Sequence, residues 1–246
     1  MTGPPDPQRI QAVLLDIEGT TTPVDFVTRV LFPYARAHAR DFLARRAGEL
    51  RDDIALLFSE HEADARAGQF PPPWRNDSAE TVLDSAAAYV HWLMDCDRKS
   101  TALKSLQGRI WEEGYRTGEL RGQVYPDVPP ALARWLGRGR QVAIFSSGSV
   151  LAQKLLFSRS EAGDLTPFLR AYFDTTTGAK GEAESYRKIA RALGRKPPAV
   201  LFLSDVTAEL DAARAAGMTT ALCVREGPTT AGDVHPVVSS FDQVLP

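Results

Sequence analysis

The chain has 246 residues, 43% of them hydrophobic and 24% charged, within the range of a globular protein and long enough for one large domain or a domain carrying a sizeable insert. Its 29 Lys and Arg against 31 Asp and Glu leave a net charge of −2 and a pI near 6.1, with no basic surplus to neutralise a nucleic-acid backbone. Only Cys96 and Cys223 occur, too few for a disulfide framework and without zinc-site spacing. Residues 1–9 lack a signal-peptide pattern, and no run approaches the ~18 apolar residues of a membrane span. A cytoplasmic monomer with neither nucleic acid nor membrane as partner is expected.

In chain order, the first apolar run is Ala12-Val13-Leu14-Leu15, short and bounded like a buried strand. From 24 to 125 the strand signal disappears and four helical stretches replace it. One spans 41–58 with Leu43, Ala47, Leu50, Ile54 and Leu57 on a stripe; another spans 78–96 with Val82, Leu83, Ala86, Ala87, Val90, Leu93 and Met94. Asp77 and Glu80 read as a capping-box variant that starts the latter. A helix over 99–116 carries Leu103, Leu106, Ile110 and Trp111. Pro71-Pro72-Pro73 divides this insert, and Pro126, Pro129 and Pro130 mark the return. Further strands are expected at 142–145, 171–173, 200–203 and 220–224. Between them lie a helix with Tyr186, Ile189, Ala190 and Leu193 closed by Gly194, and another near 207–216 closed by Gly217. Strands alternating with helices imply parallel pairing, hence an α/β fold: a Rossmann-like parallel sheet built from 1–23 and 126–246, with a helical domain, 24–125, inserted after the first strand. Residues 225–240 read as a turn-rich tail region.

The strand runs end on polar residues: Asp16, Ser146-Ser147-Gly148, Asp174 and Ser204-Asp205. Ligands of an open parallel sheet bind beyond the carboxyl ends of its strands, so these positions can converge although far apart in sequence. Asp16 and Asp205 can hold a hard divalent cation such as Mg2+. Ser147 and the N-terminus of the helix after Gly148 make an anion cradle, and Lys180 can add a point charge for phosphate. An Asp facing both is a candidate nucleophile, which points to phosphoryl transfer through an aspartyl-phosphate.

Asp16-Ile17-Glu18-Gly19-Thr20, Phe145-Ser146-Ser147-Gly148-Ser149, Lys180 and Leu203-Ser204-Asp205 resemble the four ordered motifs of the haloacid dehalogenase superfamily. The insert resembles its helical cap, expected to close over the sheet site and select the substrate. Most phosphatases of that superfamily carry Asp two positions after the nucleophile, where this chain has Glu18. With Thr20-Thr21-Thr22-Pro23, Lys99-Ser100, Leu103-Lys104-Ser105-Leu106-Gln107-Gly108 and Glu184-Ser185-Tyr186-Arg187-Lys188-Ile189-Ala190, the chain is similar to the acireductone synthase family, the enolase-phosphatases of methionine salvage. That resemblance implies a Mg2+-dependent enzyme that enolises 2,3-diketo-5-methylthiopentyl-1-phosphate and then removes its phosphate. It implies metal contacts at Asp16, Glu18 (through its backbone carbonyl) and Asp205, substrate contacts at Ser146, Ser147 and Lys180, and catalytic roles for Asp16 and Glu18. Glu209, four residues after Asp205, departs from the pattern, and its role stays open.

Other signals carry less. His61-Glu62 lacks the second histidine of a zinc-protease helix, Ser185-Tyr186-Arg187-Lys188 lacks the partner motifs of an acyl-transferring serine enzyme, and no nucleotide-binding glycine loop follows the first strand. Two other functions remain open at this point: a phosphatase of the same superfamily with a different phosphomonoester, and a phospho-acceptor signalling domain that holds its aspartyl-phosphate as a switch.

Overall fold

The computed structural model describes residues 8–227 and 234–246. The chain divides into two compact units, Met1–Val27 with Arg121–Pro246, and Thr28–Leu120.

The first unit is organised by six parallel strands: β1 (Ala12–Leu15), β2 (Gln141–Phe145), β3 (Ala171–Phe173), β4 (Val200–Ser204), β5 (Thr219–Cys223) and β6 (Val237–Val238), in the spatial order β3-β2-β1-β4-β5-β6. Ala12, Val13, Leu14 and Leu15 are all fully buried, because helices on both faces leave neither side of a central parallel strand for water. One face of the core joins Leu14, Phe145 and Phe202 to Tyr186 and Ile189 of α8 (Ala183–Ala192) and to Leu210 and Ala213 of α9 (Thr207–Ala215). α8 stops where expected, with Gly194 just beyond it at φ +64°. Two further helices of this unit are α6 (Val128–Gly137), whose Pro129 and Pro130 fall in the first turn where no amide is needed, and α7 (Val150–Ser158). The tail region yields one element not anticipated: β6, paired with β5 through Leu222↔Val237. Residues 228–233 of that region lie outside the described residues.

After a short turn of helix, α1 (Val24–Phe26), the second unit holds four long helices: α2 (Phe32–Arg45), α3 (Arg51–Arg66), α4 (Ala79–Asp95) and α5 (Thr101–Thr117). The single helix expected over 41–58 is in fact two. The chain turns at 46–49, where Glu49 and Leu50 donate back to the Arg46 carbonyl, and Gly48 sits in the turn. Leu43, Leu50 and Leu57 are all fully buried, so the apolar stripe survived the break and hid it. α4 is capped by Ser78 rather than Asp77. Ser78 Oγ accepts from the Thr81 amide and Thr81 Oγ1 accepts from the Ser78 amide, while Asp77 pairs with Arg75 at 2.7 Å.

Candidate active site

β1 lies at the centre of the sheet, and the order of crossovers reverses there. The chain builds β2 and β3 on one side and then crosses to β4 and β5 on the other, which opens a crevice at the carboxyl ends of β1, β2 and β4. The register pairs Leu15 with Ile144 and with Leu203, so Asp16, Ser146 and Ser204-Asp205 follow side by side off three neighbouring strands.

Asp16 is 4% exposed, and each of its carboxylate oxygens has a fixed partner. Oδ1 accepts from Lys180 Nζ and from the Ile17 amide, both at 2.7 Å, and Oδ2 accepts from Ser204 Oγ at 3.1 Å. Lys180 reaches a second carboxylate, Glu209, at 2.7 Å. Its loop is held from α8, where Ser185 Oγ donates to the Ala179 carbonyl and the Tyr186 hydroxyl to the Lys180 carbonyl, both at 2.7 Å. Two residues of the helix therefore aim the lysine.

The turn after Asp16 is wound tightly, with the amides of Thr20, Thr21 and Thr22 all directed at the Ile17 carbonyl and the Gly19 amide at the Thr22 carbonyl. Gly19 has φ +65°, and a Cβ there would stand 2.2 Å from Asp205 Oδ2. Glycine is thus required twice, by backbone conformation and by the close approach of a carboxylate. Glu18 rides on this turn and reaches the surface.

Electrostatically the site is unbalanced: four carboxyl groups, Asp16, Glu18, Asp205 and Glu209, face the single ammonium of Lys180. Glu18 is pushed above the ordinary carboxylate range by lost solvation and then by Asp16, against the pull of Lys180. Asp205 and Glu209 are raised too, each by burial first and then by Asp16. For Lys180 burial disfavours the charge, but Asp16 and Glu209 outweigh it and hold the ammonium above its usual range. Such mutual repulsion among partly desolvated carboxylates calls for a further cation. Among the described residues no three acidic, histidine or cysteine side chains gather into a ready-made cage. The hard oxygen donors present, Asp16, Asp205 and the Glu18 carbonyl, fit a divalent ion of the kind that uses one or two carboxylates and keeps waters for the substrate to displace.

Ser146 is buried, and its Oγ accepts from the Gly148 amide at 3.1 Å; Ser147 is exposed in the same loop. Ser149 caps α7 by accepting from the Ala152 amide. Asp174, although at a strand end, turns to scaffolding, since it accepts from the Val150 amide at 3.2 Å and from Thr176. Glu209, left open from the sequence, is a member of the charged cluster, and Ser204 bridges it to Asp16. The signal was its place one helical turn after Asp205.

A family model, haloacid dehalogenase-like hydrolase, matches residues 10–217. The chain is 53% identical to the enolase-phosphatase E1 of Synechococcus elongatus, over 98% of this chain and 100% of that one, and 48% identical to the enolase-phosphatase E1 of Azotobacter vinelandii, over 96% and 98%. Among solved structures, the UTR4 protein of Saccharomyces cerevisiae superposes with a TM-score of 0.77 at 32% identity, covering 96% of this chain and 100% of that one. A dehalogenase crystal structure at 21% identity, TM-score 0.55, covering 96% of this chain and 95% of that one, shares the fold. With a buried aspartate paired to a lysine and a surplus of carboxylates at the centre of the sheet, the chain belongs to the haloacid dehalogenase-like hydrolases, in their enolase-phosphatase branch.

Proposed function

We propose that this chain converts 2,3-diketo-5-methylthiopentyl-1-phosphate into the acireductone 1,2-dihydroxy-3-keto-5-methylthiopentene and inorganic phosphate, the enolase-phosphatase step of methionine salvage, at one site. The observation that carries the reading is the Asp16 carboxylate, buried at the end of the central strand and held between Lys180 and Ser204. The two strand-end serines, Ser146 and Ser147, receive the phosphate with the amides before α7. A divalent cation held by Asp16, Asp205 and the Glu18 carbonyl, which we take to be Mg2+, supplies the positive charge that favours enolate and phosphoryl oxygens.

Asp16 attacks phosphorus to give an aspartyl-phosphate, and Lys180 neutralises charge on the transferring group as it does so. Glu18, with its affinity for a proton raised, donates to the departing oxygen and then takes a proton from the water that hydrolyses the aspartyl-phosphate.

The test offers purified protein the diketo phosphate beside a panel of ordinary phosphomonoesters, with enol absorbance and phosphate release followed together. A preference of at least about 100-fold in kcat/KM, with the enol signal preceding phosphate, is expected. Equal release across the panel without an enol signal would make it a general phosphatase, and an aspartyl-phosphate that persists for minutes would make it a switch. Asp205→Asn should depress both steps together; loss of phosphate release with enol formation at the wild-type rate would separate them and end the single-site mechanism.

A further inference from the structure

Arg225 lies just beyond β5, outside every motif singled out in the sequence, yet its side chain is only 6% exposed. Its guanidinium is sandwiched between the rings of Tyr125 and Phe241, 4.4 Å from each centroid. Nε and Nη2 both donate to the carbonyl of Thr20, at 2.9 and 2.7 Å. Nη1 donates to Asp127 Oδ2 at 2.6 Å. Asp127 is itself fixed, because the same oxygen accepts from the Phe241 amide at 2.5 Å and from Ser240 Oγ at 3.1 Å. A buried guanidinium with these three directed hydrogen bonds around one plane is a rigid fork, and two of its donors converge on one main-chain oxygen.

That oxygen belongs to the turn that carries Glu18 and presses Gly19 against Asp205. Of the turn's three threonine hydroxyls, Thr21 Oγ1 donates to the Asp16 and Ile17 carbonyls at 3.1 and 3.2 Å, whereas Thr20 Oγ1 and Thr22 Oγ1 are buried without a partner. From outside, the Tyr125 amide donates to the Thr21 carbonyl at 2.9 Å, and the Arg225 fork adds two donors on the neighbouring Thr20 carbonyl. We propose that Arg225 is a positioning residue: through the Thr20 carbonyl it sets the Ile17–Thr22 turn, and with it the placement of Glu18 relative to Asp16 and Asp205. Asp127, Tyr125 and Phe241 hold the fork in plane. This rests on the roles assigned above to Asp16 and Glu18.

A lysine has one compact ammonium and cannot reproduce two parallel donors or stack flat between rings. Arg225→Lys should therefore lower kcat per folded molecule by about tenfold or more, with KM within about threefold, since small misplacements of reacting groups are felt on that scale. Amide exchange at Gly19, Thr20, Thr21 and Thr22 should speed up by about tenfold or more while the amides of β1 and β4 keep their protection. Leu193→Ala, a core truncation beyond the end of α8, serves as a stability control that lowers the melting temperature but leaves kcat per folded molecule unchanged. Should Arg225→Lys fail to fold, Tyr125→Leu removes one ring, keeps the backbone donor, and should shift kcat and loop exchange the same way. Wild-type kcat in these variants overturns the proposal. So does exchange that rises evenly through the sheet, and so does a loss confined to KM. Asp16→Asn assayed alongside keeps the two readings apart: turnover retained there would discard the nucleophile assignment, while the exchange pattern would still report on the Arg225 clamp.

Discussion

The two units of the chain use charge in opposite ways. In the helical unit each of these acids meets at least one base: Arg36 with Asp95 at 2.7 Å, Arg40 with Asp84 at 2.5 Å, Arg45 with Glu113 at 2.7 Å, where Arg46 adds a second cation at 3.5 Å, and Arg98 with Asp64, which also accepts from the Tyr89 hydroxyl at 2.8 Å. At the strand ends of the sheet unit, four carboxyl groups crowd one lysine and three of them are raised above the ordinary carboxylate range. A pair that neutralises itself is complete. A cluster that repels itself costs stability, and such clusters of perturbed carboxyl groups concentrate at functional sites. Surplus charge, more than the number of charges, separates the functional region from the structural one.

The contrast breaks most visibly at Asp16. Asp16→Asn keeps the shape and removes the oxygen anion proposed to attack, so phosphate release should fall by at least about a thousandfold while the melting temperature stays near wild type. Retention of a tenth of wild-type turnover would sink the nucleophile. A smaller effect is expected from Gly19→Ala, which sets an L side chain at φ +65° and drives its Cβ into Asp205. The backbone alone costs about 1–2 kcal/mol in denaturant titration, and turnover should fall with it, because the carboxylate must move. Wild-type stability and rate in that variant would show that the turn is softer than drawn. The least effect belongs to the helical unit. Arg40→Ala removes a solvent-exposed pair and should change stability by no more than about 0.5 kcal/mol, with kcat and KM untouched. A large loss there would mean that the paired charges of this unit are more than surface solvation.

Much of the sheet was legible because a strand buried on both faces has to be a short unbroken apolar run, and β1, β2 and β4 are such runs. Their polar ends could be read for the same reason, since an Asp or Ser that closes a fully apolar strand stands out. What escaped was set by contacts between distant segments. As strand ends alone Asp174, which holds the start of α7, and Asp205, which joins the charged cluster, look alike, and only the Leu203-Ser204-Asp205 motif set the second apart. Arg225 follows β5 in a stretch without pattern, and its partners Thr20, Tyr125, Asp127 and Phe241 come from the start, the middle and the end of the chain. The helix break at 46–49 was masked by an apolar stripe that continued through it, because a turn and a helix can both bury a leucine every seventh residue. Ser78 lost to Asp77 in the sequence reading because an acid at a helix start satisfies the same rule; the structure chose the residue whose partner, Thr81, answers it.

The sheet ends at both sides in very little strand: three residues in β3, Ala171–Phe173, and two in β6, Val237–Val238. A growing stack of molecules would need a long row of free amides and carbonyls to pair across, and these margins offer only a few. The same brevity that makes β6 hard to see in the sequence makes these two margins, among the described residues, poor templates for another copy of the chain.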